Sequence, residues 1–197
     1  ASFVEQTVGD MLRKKLNTII VRGSGAGEGL GILNAPALVS VDRTGSSSGT
    51  VVFADVAAMI GRLYEGGVAN AAWLINQNVV SALAQLTSGT AAAPVFLQNL
   101  NAAGQLQNTL FGMPIIMTEA CSSLGTVGDI ILADLSQHVF ATRGGIKNDS
   151  SIHLRFDYDE NVMRWVYRYD SQPGWEGAVT PENGSTTVSS MVCLTTA

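Results

Sequence analysis

Charge is scarce in this 197-residue chain: Asp, Glu, Lys and Arg together make up 14% of it, against about 25% in an ordinary soluble domain. The shortage is uneven, because nothing from Gly66 to Thr118 is charged. The two Cys, Cys121 and Cys193, make no disulfide framework and read as free buried thiols of a reducing compartment. The 5 Pro exclude a Pro-rich linker, and the 21 Gly follow no collagen-like period. No basic start leads into an apolar run at Ala1-Ser2-Phe3-Val4-Glu5, so no targeting signal is expected. The chain opens without a Met and reads as a processed or truncated product. The charge-free stretch is no membrane span either. Asn70, Asn76, Gln77, Asn78 and Ser81 interrupt it, and a span needs about 20 mostly apolar residues.

What remains is hydrophobic, at 46%, which rules out disorder, and slightly acidic, with a net charge of −5. That balance argues against a protein whose main task is gripping a nucleic-acid backbone. The length suits one domain or slightly more, enough for a core without metal or disulfides. Absence of charge over Gly66–Thr118 suggests surface covered by other protein, since interface cores are depleted of charge. The plainer alternative is an Ala-rich polar domain.

Periodicity gives the elements. Val4, Val8, Met11, Leu12, Leu16 and Ile19 recur at helical spacing, predicting an amphipathic helix over Phe3–Val21. Arg13, Lys14 and Lys15 read as its solvated face. Gly23, Gly25, Gly27, Gly29 and Gly31 alternate and must form irregular backbone. A second helix is predicted over Phe53–Tyr64, and a third over Val79–Leu86 capped by Asn78. Ala72–Asn76, Val95–Leu97, the end of Leu110–Met117, Ile130–Ala133 and Val139–Thr142 read as strands. Thr87–Pro94, Leu100–Gln107 and Cys121–Gly128 read as loops. Val162 to Tyr169 alternates with period two, predicting one strand with dissimilar faces, and Ser171–Gly174 reads as a turn. The fold class is α+β, and Trp73 is expected in the core.

Chemistry is not evident. The Gly-rich stretch lacks the Lys of a phosphate loop, and no Lys occurs between Lys15 and Lys147. Its G-x-G-x-G spacing also misses the dinucleotide fingerprint. His138 and His153 have no metal-ligand spacing. A Cys121–His138–Asp134 triad can be written down, as can an acidic cluster of Asp157, Asp159 and Glu160. That cluster is expected to pair with Arg155, Arg164 and Arg168. No catalytic, cofactor-binding or metal residues are assigned. An enzyme using Cys121 or His138, and an anion-holding binding module, stay open as rivals.

The order of motifs carries a resemblance. A helix enters a Gly-rich loop ending in Gly29-Leu30-Gly31-Ile32-Leu33. Then follow the helix over Ala54–Tyr64, Ala72-Trp73-Leu74-Ile75-Asn76, Leu110-Phe111-Gly112-Met113-Pro114-Ile115 and Gly128-Asp129-Ile130-Ile131-Leu132-Ala133-Asp134-Leu135. Last is Met163-Arg164-Trp165-Val166-Tyr167-Arg168-Tyr169-Asp170. In this order, over residues 3–185, the chain resembles the tailed-bacteriophage major capsid proteins, whose fold encapsulins share.

The resemblance implies a peripheral domain over 1–34 and 136–172, a long helix plus strands. It implies an axial domain over 35–135 and 173–197, a mixed sheet flanked by helices. The implied function is a self-assembling subunit of an icosahedral phage or prophage capsid, forming hexamers and pentamers around double-stranded DNA without sequence readout. Scaffold or protease, portal and decoration proteins would be further partners, with no membrane and no cofactor. Assembly would begin in the host cytoplasm and end in the virion. An encapsulin-type compartment shell is the alternative. The family's N-terminal arm and extended loop, which stitch neighbouring subunits, have no counterpart here, so its crosslinking is carried to no residue. Assembly contacts are expected at Gly23, Gly25, Gly27 and Glu28, at Ala92 and Ala103, and at Arg143, Lys147, Asp157, Arg164 and Arg168.

Overall fold

The computed structural model describes residues 2–45, 49–88, 93–94, 96–100 and 106–196. Its centre is a mixed sheet. The strands in chain order are β1 (Val39–Val41), β2 (Ala71–Ile75), β3 (Thr87–Ser88), β4 (Ala93–Pro94), β5 (Phe96–Leu100), β6 (Leu106–Leu110) and β7 (Met113–Met117). They continue with β8 (Ile130–Asp134), β9 (His138–Thr142), β10 (Lys147–Ser151), β11 (Val162–Val166), β12 (Tyr169–Pro173) and β13 (Met191–Leu194). Seven of them form one sheet in the order β1-β13-β8-β2-β7-β6-β5. β1 with β13 and β2 with β7 run parallel, and the other pairings are antiparallel.

Every residue of β2, β8 and β13 is buried, because their continuous apolar runs meet protein on both faces. Alternate residues supply two cores. On one side Trp73, Ile75, Leu132 and Val192 pack with Val56, Met59 and Leu83. On the other, Leu74, Ile131, Ala133 and Cys193 pack with Val21, Ile32 and Ala35. Trp73 is fully buried, and its indole N–H donates to the Leu110 carbonyl at 3.0 Å.

Helix α1 (Ser2–Arg22) forms where periodicity predicts it, with Glu5 in its first turn and Arg22 in its last. Of its expected apolar face only Ile19 is buried; Val4 is 41% exposed and Met11 67%. Helix α2 (Phe53–Gly61) stops short of Tyr64. The Asp55 carboxylate starts it by accepting the Val52 N–H, and also binds the Thr44 N–H and hydroxyl. Helix α3 (Val80–Ala84) is shorter than predicted. The capping Asn is Asn76, not Asn78: its side chain accepts the Asn78 N–H ahead of a 3-10 turn.

The alternating run over Val162–Tyr169 is not one strand. It breaks after Val166, so that β11 pairs with β10 while β12 pairs with β9 in a separate ribbon. The turn expected over Ser171–Gly174 instead continues β12 as far as Pro173. β3 and β4 lie inside the expected loop Thr87–Pro94, and β6 begins inside the expected loop Leu100–Gln107.

Candidate functional site

The Gly-rich loop is a strut between α1 and β12. Gly25 and Gly27 carry φ of 77° and 75° at its tip, where glycine alone is unstrained. Below the tip, Ser24 and Leu30 bridge across the loop, and Gly31 N–H donates to the Gly23 carbonyl at 2.9 Å. The Leu30 N–H then donates to the Ser171 carbonyl at 2.7 Å. Gly29 lies so close to this strand that a Cβ would stand 2.2 Å from Ser171 Oγ. The Glu28 carboxylate accepts the Ser24 N–H at 3.1 Å and its hydroxyl at 3.2 Å. Those bonds hold the Glu28 carboxyl below its usual range. A loop that fills one of its own amides with its own carboxylate has little to offer a phosphate.

The charged tail presents a second surface. Arg143 and Arg168, just beyond the β9–β12 ribbon, and Lys147 and Arg164, in β10–β11, are all exposed, as is Asp157 in the turn Phe156–Tyr158. Arg164 pairs with Asp149 at 2.7 Å and Arg155 with Glu160 at 2.9 Å. Asp149 was not singled out by the sequence, and Asp157 and Asp159 make no ion pair among the described residues. The arginine pairing expected of the acidic cluster therefore holds for Glu160 alone. Around these charges Ile152, Leu154, Phe156 and Tyr158 stand between 56% and 77% exposed. The expected contact residues Ala92 and Ala103 lie outside the described residues.

Two further features join α1 to the rest. Arg22 Nε donates to the Ala120 carbonyl at 2.6 Å and its Nη2 to Ser122 Oγ at 2.8 Å. Lys14 meets Glu119 at 2.8 Å across an open cleft of about 320 Å³. That contact raises the Lys14 pKa and lowers that of Glu119.

The residues of the written triad do other work. Burial pushes the Cys121 thiol up to about 12, opposite to what a thiolate nucleophile requires. Asp134 accepts the Tyr64 hydroxyl at 2.6 Å and the Ser136 N–H and hydroxyl at 3.0 and 2.6 Å. Both ring nitrogens of His138 are buried without a hydrogen-bond partner among the described residues, and burial lowers its pKa. No His, Cys, Asp and Glu group among the described residues could hold a metal ion, and no described helix is long and apolar enough to cross a membrane.

A model of the phage capsid family matches residues 1–181. No curated protein matches. Among solved structures, the capsid of an empty GTA particle superposes with a TM-score of 0.73 at 14% identity, covering 100% of this chain and 66% of that one. The capsid of the native GTA particle gives 0.70 at 13% identity, covering 100% and 65%. The holo-SrpI encapsulin complex from Synechococcus elongatus PCC 7942 gives 0.64 at 14% identity, covering 96% and 63%. This chain thus spans just under two thirds of the length of these structural relatives.

Proposed function

This chain belongs to the phage capsid family, and from that premise we propose that it is a structural subunit of an icosahedral capsid, assembling into hexamers and pentamers that enclose double-stranded DNA. The work is tiling rather than chemistry: many modest contacts are multiplied by closure. An acidic chain repels the packaged DNA and leaves it mobile. Scaffold or protease, portal and decoration proteins would complete the particle, in the host cytoplasm and then in the virion.

The observation that carries this reading is the uncovered apolar surface. Phe3, Leu154, Phe156 and Tyr158 are each more than 70% exposed, at the start of α1 and in the segment between β10 and β11. Such side chains grouped on a surface mark contact sites. The two-domain division has a parallel support. All strands of the seven-stranded sheet come from residues 35–135 and 173–197, while α1, β9, β10 and β11 come from 1–34 and 136–172.

Electron microscopy of the full-length protein expressed alone, and again with its scaffold, tests the reading. Closed shells holding nuclease-protected DNA are expected in the infected or induced cell. Shells filled with an enzyme cargo would favour the encapsulin alternative, and no particles under either condition would overturn both. The charge-free stretch has its own test. Glu at Ala92 or Ala103 should leave circular dichroism unchanged and block capsomer formation on sedimentation, since stripping water from an unpaired ion costs several kcal/mol. Normal capsomers from both single variants and the double would remove this stretch from the interface.

A further inference from the structure

The open face of the β9–β12 ribbon carries two opposed arginines. The Arg143 N–H donates to the Arg168 carbonyl at 3.0 Å, one step beyond the paired residues Thr142 and Tyr169. Directly opposed residues of an antiparallel pair point to the same face. Arg143 and Arg168 therefore stand side by side, and with Ala141 and Asp170 they line a shallow cleft of about 250 Å³. Like charges so placed repel one another. Neither guanidinium makes an ion pair among the described residues, unlike Arg155 and Arg164. Asp170, the acid on that face, has one carboxylate oxygen bonded to the Ser171 N–H at 2.8 Å. Two adjacent guanidinium groups at an open cleft make a receptor for a planar oxyanion, which each can grip with two N–H donors.

We propose that this cleft receives the Asp157 carboxylate of a second copy of this chain, an inference that rests on the capsid-subunit reading. Asp157 is exposed and without an ion pair among the described residues. It sits at the centre of the turn Phe156–Tyr158, between rings that are 77% and 72% exposed. On docking, those rings cover the apolar stems and flat faces of the arginines. Asp170 beside the cleft tolerates a single carboxylate but repels a polyanion, which favours a protein carboxylate over a nucleic-acid phosphate. Receptor and donor are different surfaces of the chain, so the contact is head-to-tail and generates a ring when the rotation closes.

The test uses the full-length protein in three forms: Arg143→Glu with Arg168→Glu, Asp157→Arg, and all three changes together. Shells are counted by electron microscopy and sedimentation, with circular dichroism to confirm folding. The first two forms are expected to lose shells, and the third to regain them, because the swapped charges again face each other. Arg143→Gln with Arg168→Gln carries the same expected loss should the Glu pair fail to fold. Normal shells from the arginine variants, normal shells from Asp157→Arg, or a folded triple variant without shells would each overturn the proposal. Wild-type protein that never forms shells would overturn the capsid-subunit reading itself, and this contact with it.

Discussion

Arg43 and Asp129 form an ion pair of 2.6 Å with both side chains fully buried. It joins the segment after β1 to the start of β8. Arg43 also donates to the Thr195 and Thr50 carbonyls at 3.3 and 3.1 Å. Asp129 accepts the Gly125 and Ile130 N–H groups, each at 2.8 Å. Removing one partner leaves a buried charge without its counter-ion. Arg43→Met is expected to destabilise the subunit by about 3–5 kcal/mol. Arg43→Met with Asp129→Asn should recover part of that loss, as read from the chemical denaturation midpoint. A single variant with the wild-type midpoint would show that the pair contributes nothing.

Gly29 and Ser171 supply a test of close approach. Gly29→Ala should cost about 1–3 kcal/mol, the range for forced overpacking, because its Cβ would meet Ser171 Oγ, N and O at 2.2, 2.9 and 3.1 Å. Truncating the Ser171 hydroxyl would relieve one contact and leave the two backbone atoms. Gly177→Ala is the control, having nothing within 4 Å. Faster proteolysis at Gly25–Gly27 in Gly29→Ala, and not in Gly177→Ala, is the second readout.

Cys121 should be silent toward alkylating reagents in the folded protein at pH 8 and reactive once denatured. Its thiol rises from an ordinary 9.0 to about 12, chiefly through burial. The raised value means that the folded state holds the proton more tightly. The stability it contributes is fully present below pH 9 and is lost as pH rises from 9 towards 12. Fast labelling of folded protein at pH 8 would contradict this and revive a thiol chemistry.

His138 works on the other side of neutrality. Burial lowers its pKa from 6.5, so the unfolded chain takes up this proton more readily than the folded one. The associated stability is present above pH 6.5 and is lost as pH falls from there through the lowered folded value. Denaturation midpoints between pH 7.5 and 5 should fall less in His138→Gln than in wild type. Parallel curves would assign the acid sensitivity to other groups.

Strands buried on both faces were readable because their apolar runs are continuous, as in Ala71–Ile75 and Ile130–Asp134. Met191–Leu194 belongs to the same class but is only four residues long, between Ser and Thr, and no periodicity marks it. Lys147–Ser151 is wholly polar and becomes a strand only through pairing with β11. Helical spacing in α1 located the helix but not its surroundings: Val4 and Met11 remain in water within the single subunit. The candidate surfaces were legible as residue types, Gly-rich here and charged there. Which residues meet was not, because Gly29 with Ser171 and Arg143 with Arg168 are joined by tertiary pairing that no local pattern encodes.

The position of β13 also sets the order of events during synthesis. This strand lies between the edge strand β1 and β8, although it is the most C-terminal strand described. As the chain leaves the ribosome, β1 and β8 must wait for it with their facing edges unpaired, and such edges invite pairing with other chains. β1 pairs with β13 from Val39 to Val192, a contact of large sequence separation, which is slow to form. A chain released before Met191 would lack the strand that joins β1 to the rest of the sheet, so the central sheet can be completed only by chains whose synthesis has passed that point.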